Sequence, residues 1–344
     1  MEELYDSFYI DSQNVLKKEY SRKLLNNIFS SEEKTNFSGL IFDFSKNNDF
    51  MTVIFNLGKQ IVAVIMIFIL FEILKFVFKS ATVYETVKFS LSIATLFGIV
   101  KSVYEIIVEI TEYLNDISLF LGVLSPITGI VLASGGNTAT AGANSISFSI
   151  LFSLVQIILN TVIPCATAFF FGISVLGIIS GDNSIYAFSN HVKNVLFSAF
   201  SFSVVIYFIV VGYSNSASVN VDTVAAKSFK VLISNAVPII GSTLSEAAKF
   251  AGGGIVMVKN SIGITAAAFV LSMFLPILLL LILINLTFGF LTFLSDFFGV
   301  KEMKSLLINL RYATDFTLAA SSVIVVTALI NIGLFINVMP SVIE

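Results

Sequence analysis

ISLFLGVLSPITGIVLASGGNTATAGANSISFSILFSLVQIILNTVIPCATAFFFGISVLGIISG, residues 117–181, carries no charged side chain. A helix that crosses the hydrocarbon core of a bilayer needs about 20 consecutive apolar residues, so this run has room for up to three crossings. The stretches 194–221, 260–295 and 316–343 are also free of charge. A soluble domain is about a quarter charged; this chain is 12% charged and 56% apolar, with a mean hydropathy of +0.95. Lipid must therefore supply most of its solvent. The expected fold is all-α: a polytopic helical membrane protein with about six to eight spans, re-entrant or interfacial helices, and a small helical N-terminal head.

The same composition narrows the function. A net charge of −3 and a pI near 5.3 leave no basic face for nucleic acid. The single cysteine, Cys165, excludes a disulfide within the chain and any cysteine-based metal site. With one histidine, His191, no cluster of imidazole ligands can form. The glycines of LASGGNTATAGANS (132–145) lack the Lys-Ser/Thr of a phosphate loop. Ser174 and His191 are the residue types of a hydrolase pair, but residue type alone supports it. No catalytic, cofactor-binding or metal-ligating residues are expected. LASGGNTATAGANS is either a plain connector between spans or an uncharged break where small residues let helices approach closely.

Along the chain, residues 1–59 form a polar helical segment. Leu16, Tyr20, Leu24 and Ile28 share one helical face, with Asp11 or Ser12 as N-cap; Phe37, Leu40, Ile41 and Phe44 form a second stripe. The membrane domain is residues 60–340. Its expected spans are 60–78, 87–108, 117–133, 146–163, 166–180, 195–213, 264–290 and 316–338, with breaks at Pro126 and at Pro164, the latter a kink or a separator. Residues 181–193 read as a polar loop, 214–262 as an interfacial or re-entrant region, and 296–315 as an amphipathic connector. The first hydrophobic segment would act as its own insertion signal, unless the chain has been trimmed. Lysine bias of the short loops puts the N-terminal head outside the cytoplasm and the 301–311 connector inside.

Charges within the spans mark functional sites by default. Glu72 and Lys75 lie three apart, and Lys101 and Glu105 four apart, on single helical faces. They form either an intramembrane polar seam or wet helix ends. Glu109, Glu112 and Asp116 read as a helix continuing past the headgroups. Two function classes remain. One is a secondary transporter or channel for a small solute, with broken helices at Pro126, Pro164 and Pro276. The other is a membrane component of a larger assembly.

Three ordered motifs favour the second. LASGGNTATAGA before a long apolar run, then SNAVPIIGSTLSEA, then VKNSIG resemble the stage III sporulation protein AE family. The matching positions are Ser134, Gly135 and Gly136; Lys230, Asn235, Pro238 and Gly241; and Lys259, Asn260 and Gly263. The chain departs from the family pattern at Ser242, where an arginine is frequent, and in GANSIS, where a His-Pro pair is frequent. The resemblance implies a non-enzymatic integral membrane component, without cofactor, of the transenvelope channel linking mother cell and forespore, needed for late forespore development. The implied partners are the lipid bilayer, other membrane proteins of that complex, its cytoplasmic ATPase and its ring-forming members. The implied location is the mother-cell membrane around the forespore.

Overall fold

A computed structural model describes the backbone of residues 2–30, 48–78, 80–180, 183–236 and 241–338. It describes their side chains except at 2, 4, 30, 48–54, 81, 180, 183–184, 186, 225–236, 241–254 and 301–302. Every element in these residues is helical. The chain order is α1 (Glu2–Val15), α2 (Glu19–Ser30), α3 (Asn48–Val77), α4 (Ala81–Ser134), α5 (Thr138–Ile157), a π turn (Ile158–Val162), α6 (Ile163–Ser180), α7 (Asn183–Ala236), α8 (Gly241–Phe297) and α9 (Lys301–Asn337).

Among the described residues six segments are long and apolar enough to cross a membrane: Phe55–Val77, Thr82–Ser134, Thr138–Ile179, Ala187–Val224, Ile255–Phe297 and Met303–Asn337. Eight expected pieces thus become six, because two pairs fuse. Pro126 lies inside the uninterrupted α4 and Pro276 inside α8. Pro164 follows the π turn, and the helical rod runs on through it. A proline removes one ladder hydrogen bond, and neighbouring groups can satisfy the freed carbonyl within a bundle. At Pro126 the surroundings are hydroxyl-rich: Ser125 Oγ donates to the Ser145 carbonyl at 3.1 Å, and Thr128 Oγ to the Ser125 carbonyl at 3.1 Å.

Four other expectations meet a different structure. Residues 183–193 continue α7 and are not a loop. Most of the 296–315 connector is the start of α9, and the true turn is Phe298–Val300, where Gly299 takes φ +68°. Of the 214–262 region, residues 214–236 belong to α7 and 241–262 to α8, two long helices in place of short separate pieces. A boundary at residue 59 falls inside α3, which starts at Asn48. The stripe Phe37–Phe44 lies outside the described residues.

The core follows the pairing of consecutive helices. The α8–α9 hairpin and the α4–α5 hairpin make the most extensive contacts, and α6 packs along α9. Phe120 of α4 meets Phe269 of α8 at a ring separation of 4.3 Å, and Phe8 of α1 meets Phe120 at 5.6 Å. The head is thereby joined to the same core as the spans. By contrast α3 and α7 are poorly covered: Met66 and Phe76, and Phe202, Ile209 and Tyr213, are exposed. Such surfaces suit lipid, in which apolar side chains need no protein cover. The 54 residues of α4 reach about 80 Å at 1.5 Å per residue. A hydrocarbon core is about 30 Å thick, so the longest helices project beyond it.

Candidate functional site

The small-residue motif is built as a helix end. Ser134 closes α4 with its Oγ donating to the Ile130 carbonyl at 2.9 Å. The Gly135 amide donates to the Leu132 carbonyl at 3.1 Å, the Gly136 amide to Ala133 at 3.0 Å, and the Asn137 amide to Leu132 at 3.1 Å. Gly136 takes φ +83°, a left-handed conformation that glycine adopts without steric cost. The chain then reverses into α5. Gly129 and Ser145 show why the flanks are small, since a Cβ on Gly129 would lie 2.6 Å from Ser145 Oγ.

An aspartate from a distant helix holds the start of α5. Asp222 of α7 accepts the Ala139 amide on Oδ1 at 2.9 Å and the Thr140 amide on Oδ2 at 2.7 Å. Its carboxylate thus replaces a local N-cap and lies at the positive end of the helix dipole. Asp116 of α4 does the same for the head. This fully buried carboxylate accepts the Lys17 amide at 3.0 Å, the Lys18 amide at 2.9 Å and Ser21 Oγ at 2.7 Å. Lys18 also pairs with Glu112 at 2.7 Å and lies over Tyr113. Asp116 is therefore an internal lock, not a wet helix end, and it replaces Asp11 or Ser12 as the cap of α2. On α2, the Lys23 hydrogen bond and charge hold the Glu19 carboxyl below the usual carboxylate range.

The second and third motifs are described in part. Pro238 lies outside the described residues, as do the side chains of Lys230 and Asn235; Gly241 begins α8. Lys259 is buried, and its Nζ donates to the Val338 carbonyl at the end of α9. A cation there matches the negative end of the helix dipole. At Gly263, one turn on, α9 packs closely on α8: an added Cβ would collide with the Ile336 side chain. Asn260 beside them is half-buried. Lys259 and Gly263 therefore meet the same segment, Phe335–Val338.

The four seam residues stay in their own helices. Glu72 pairs with Lys75 at 3.9 Å, and Lys101 with Glu105 at 3.9 Å. Among the described residues no ion pair joins one pair to the other, and both pairs face outward.

A polar layer that the sequence did not single out crosses three helices. Lys193 of α7 reaches Asp315 of α9 at 3.9 Å and lies 4.4 Å from the Tyr312 ring centroid. Asn285 of α8 donates through Nδ2 to Asp315, and its Oδ1 accepts Arg311 Nε at 2.9 Å. Tyr312 donates to Asn190 at 3.1 Å, and Ser189 Oγ donates to Asn309. On α7 and α9 this layer borders the charge-free stretches 194–221 and 316–343. Pairing in this layer satisfies charges that lipid alone would not. Among the described residues no group of three or more His, Cys, Asp or Glu side chains could hold a metal ion.

No curated protein and no solved structure matches the chain. One family does: the profile described as Stage III sporulation protein AE matches residues 18–341. That span starts at the cap of α2 and ends beyond α9. It takes in the Asp116 lock, the glycine turn, the Lys259–Gly263 contact and the polar layer. Nearly the whole folded bundle is thus accounted for by one profile, and the chain belongs to the stage III sporulation protein AE family.

Proposed function

We propose that this chain is a non-enzymatic integral membrane component of the transenvelope channel between mother cell and forespore, located in the mother-cell membrane. The observation that carries the proposal is a sporulation-family match over nearly the whole chain, which contains six helices able to span a membrane. A protein whose recognisable features are helix locks and packing glycines is suited to building an assembly. Its partners in this reading are the bilayer, the other membrane proteins of the complex, a cytoplasmic ATPase and ring-forming members.

The outward-facing pairs Glu72–Lys75 and Lys101–Glu105 support that reading, because charges on a span's surface need covering. They form the polar seam to a partner protein. The N-terminal head stands on the outer side.

Purification from sporulating cells tests the proposal. The chain should co-purify with other membrane proteins of the complex, and removing it should stop late forespore development. A solute flux from the chain reconstituted alone, with sporulation unaffected by its loss, would instead support the transporter reading. That alternative asked for broken helices at Pro126, Pro164 and Pro276; Pro126 and Pro276 lie in continuous ones, and only a π turn precedes Pro164.

A further inference from the structure

We propose that Arg311, set on Asn285 and Gly289, binds the phosphate of an anionic phospholipid on the outer face of the α8–α9 hairpin. Arg311 is exposed; its Nε donates to Asn285 Oδ1 at 2.9 Å, and its charge also acts on Asp315 one turn on. That bond fixes the plane of the guanidinium and leaves both Nη groups to donate. Two parallel N–H donors are the geometry that recognises a phosphate bidentately.

Charge points the same way. Arg311, Asn285, Asp315 and Lys193 form one connected chain across α9, α8 and α7. It contains two cations and one carboxylate, and the carboxylate is already engaged by Lys193 and Asn285. One positive charge is left over, at the edge of charge-free spans. A phosphate diester carries the single negative charge that would balance it. The nearby Asp296 is taken by Lys304 at 2.8 Å.

The surroundings distinguish a lipid from a free anion. Ile282, Leu286, Gly289 and Phe293 occupy one face of α8 at spacings of four, three and four residues. The three apolar members are exposed, and Gly289 is the notch among them. A Cβ at Gly289 would lie 3.5 Å from Arg311 Nη1, in ordinary van der Waals contact, so the guanidinium lies directly against the glycine. A cation in a notch of an apolar stripe fits an amphiphile: headgroup phosphate on Arg311, acyl chains along Leu286 and Ile282. Inorganic phosphate would use the first feature and not the second.

The full chain, purified in a neutral detergent, is titrated with phosphatidylglycerol, phosphatidylcholine or inorganic phosphate, and retained lipid is counted by native mass spectrometry. Phosphatidylglycerol should be retained in preference to phosphatidylcholine, and millimolar phosphate should not displace it. Arg311→Gln should weaken retention by about tenfold or more, as expected for loss of charge-assisted hydrogen bonds. Gly289→Leu fills the notch, keeps the arginine and raises helix propensity; it should weaken retention as well, and it serves if Arg311→Gln does not fold. Equal retention of both lipids, undiminished retention by folded variants, or displacement by free phosphate would each overturn the proposal.

Discussion

Single side chains hold the two ends of this molecule. Asp116 receives three donors from the head in a fully buried position. Replacing it with alanine should cost about 2–4 kcal/mol, the sum of a lost cap and newly unsatisfied amides. The head should then open, so that trypsin cleaves near Lys17 and Lys18 faster than in the native chain; unchanged cleavage would contradict the lock. At the other end, Gly263→Ala should destabilise by about 1–3 kcal/mol through overpacking against Ile336. The added Ile336→Ala change should return part of that loss, giving a coupling readable in a double-mutant cycle of unfolding midpoints. Residues of this kind were poorly legible in the sequence. Glu105, Glu109, Glu112 and Asp116 follow one another at helical spacing, which suggested a wet face. Burial of the last of them depends on a head that lies some hundred residues earlier in the chain. Gly263, by contrast, stood out as part of a motif, although its contact with α9 could not be read from spacing.

Elements were easier to read than their joints. Uniform apolar runs made the existence of the span helices plain, since only a helix satisfies its own backbone in lipid. Proline does not end these helices, because neighbouring groups in a bundle can satisfy the carbonyl it frees. Pro126 sits in a bundle where Ser125, Thr128 and Ser145 supply hydroxyls, and α4 passes through. Near Pro164 the chain adjusts by one π turn, a local widening and not an end. The true reversal between α4 and α5 is the SGGN turn, which the sequence did mark. Its register depends on Asp222, an isolated acid at the end of a charge-free run. Asp222→Ala should expose the first turn of α5 at a cost of about 1–3 kcal/mol. Hydrogen exchange reads this directly: the Ala139 and Thr140 amides should lose protection while the middle of α5 keeps it. Full protection of both amides in the variant would show that some other group caps the helix.

At the scale of the whole molecule, six segments among the described residues are able to cross a membrane, and six crossings would set the head on the same side as the SGGN turn. Fusing the expected segments into α4 and into the α5–α6 rod has a consequence for sidedness. Six crossings put two spans between the head and Ser134. Eight crossings would put three there, and the turn would face the other way. Lys304, at the start of the last span beside the Phe298–Val300 turn, lies opposite the head in either case and serves as a reference. Topology was the part least accessible from sequence, because neither apolar length nor lysine bias distinguishes one long helix from two stacked spans. Cysteine labelling from one side of sealed vesicles does. In a Cys165→Ala background, Lys23→Cys, Ser134→Cys and Lys304→Cys are each exposed to a membrane-impermeant maleimide. The account predicts that Ser134→Cys is modified from the same side as Lys23→Cys and from the side opposite to Lys304→Cys; modification of Ser134→Cys together with Lys304→Cys would contradict it.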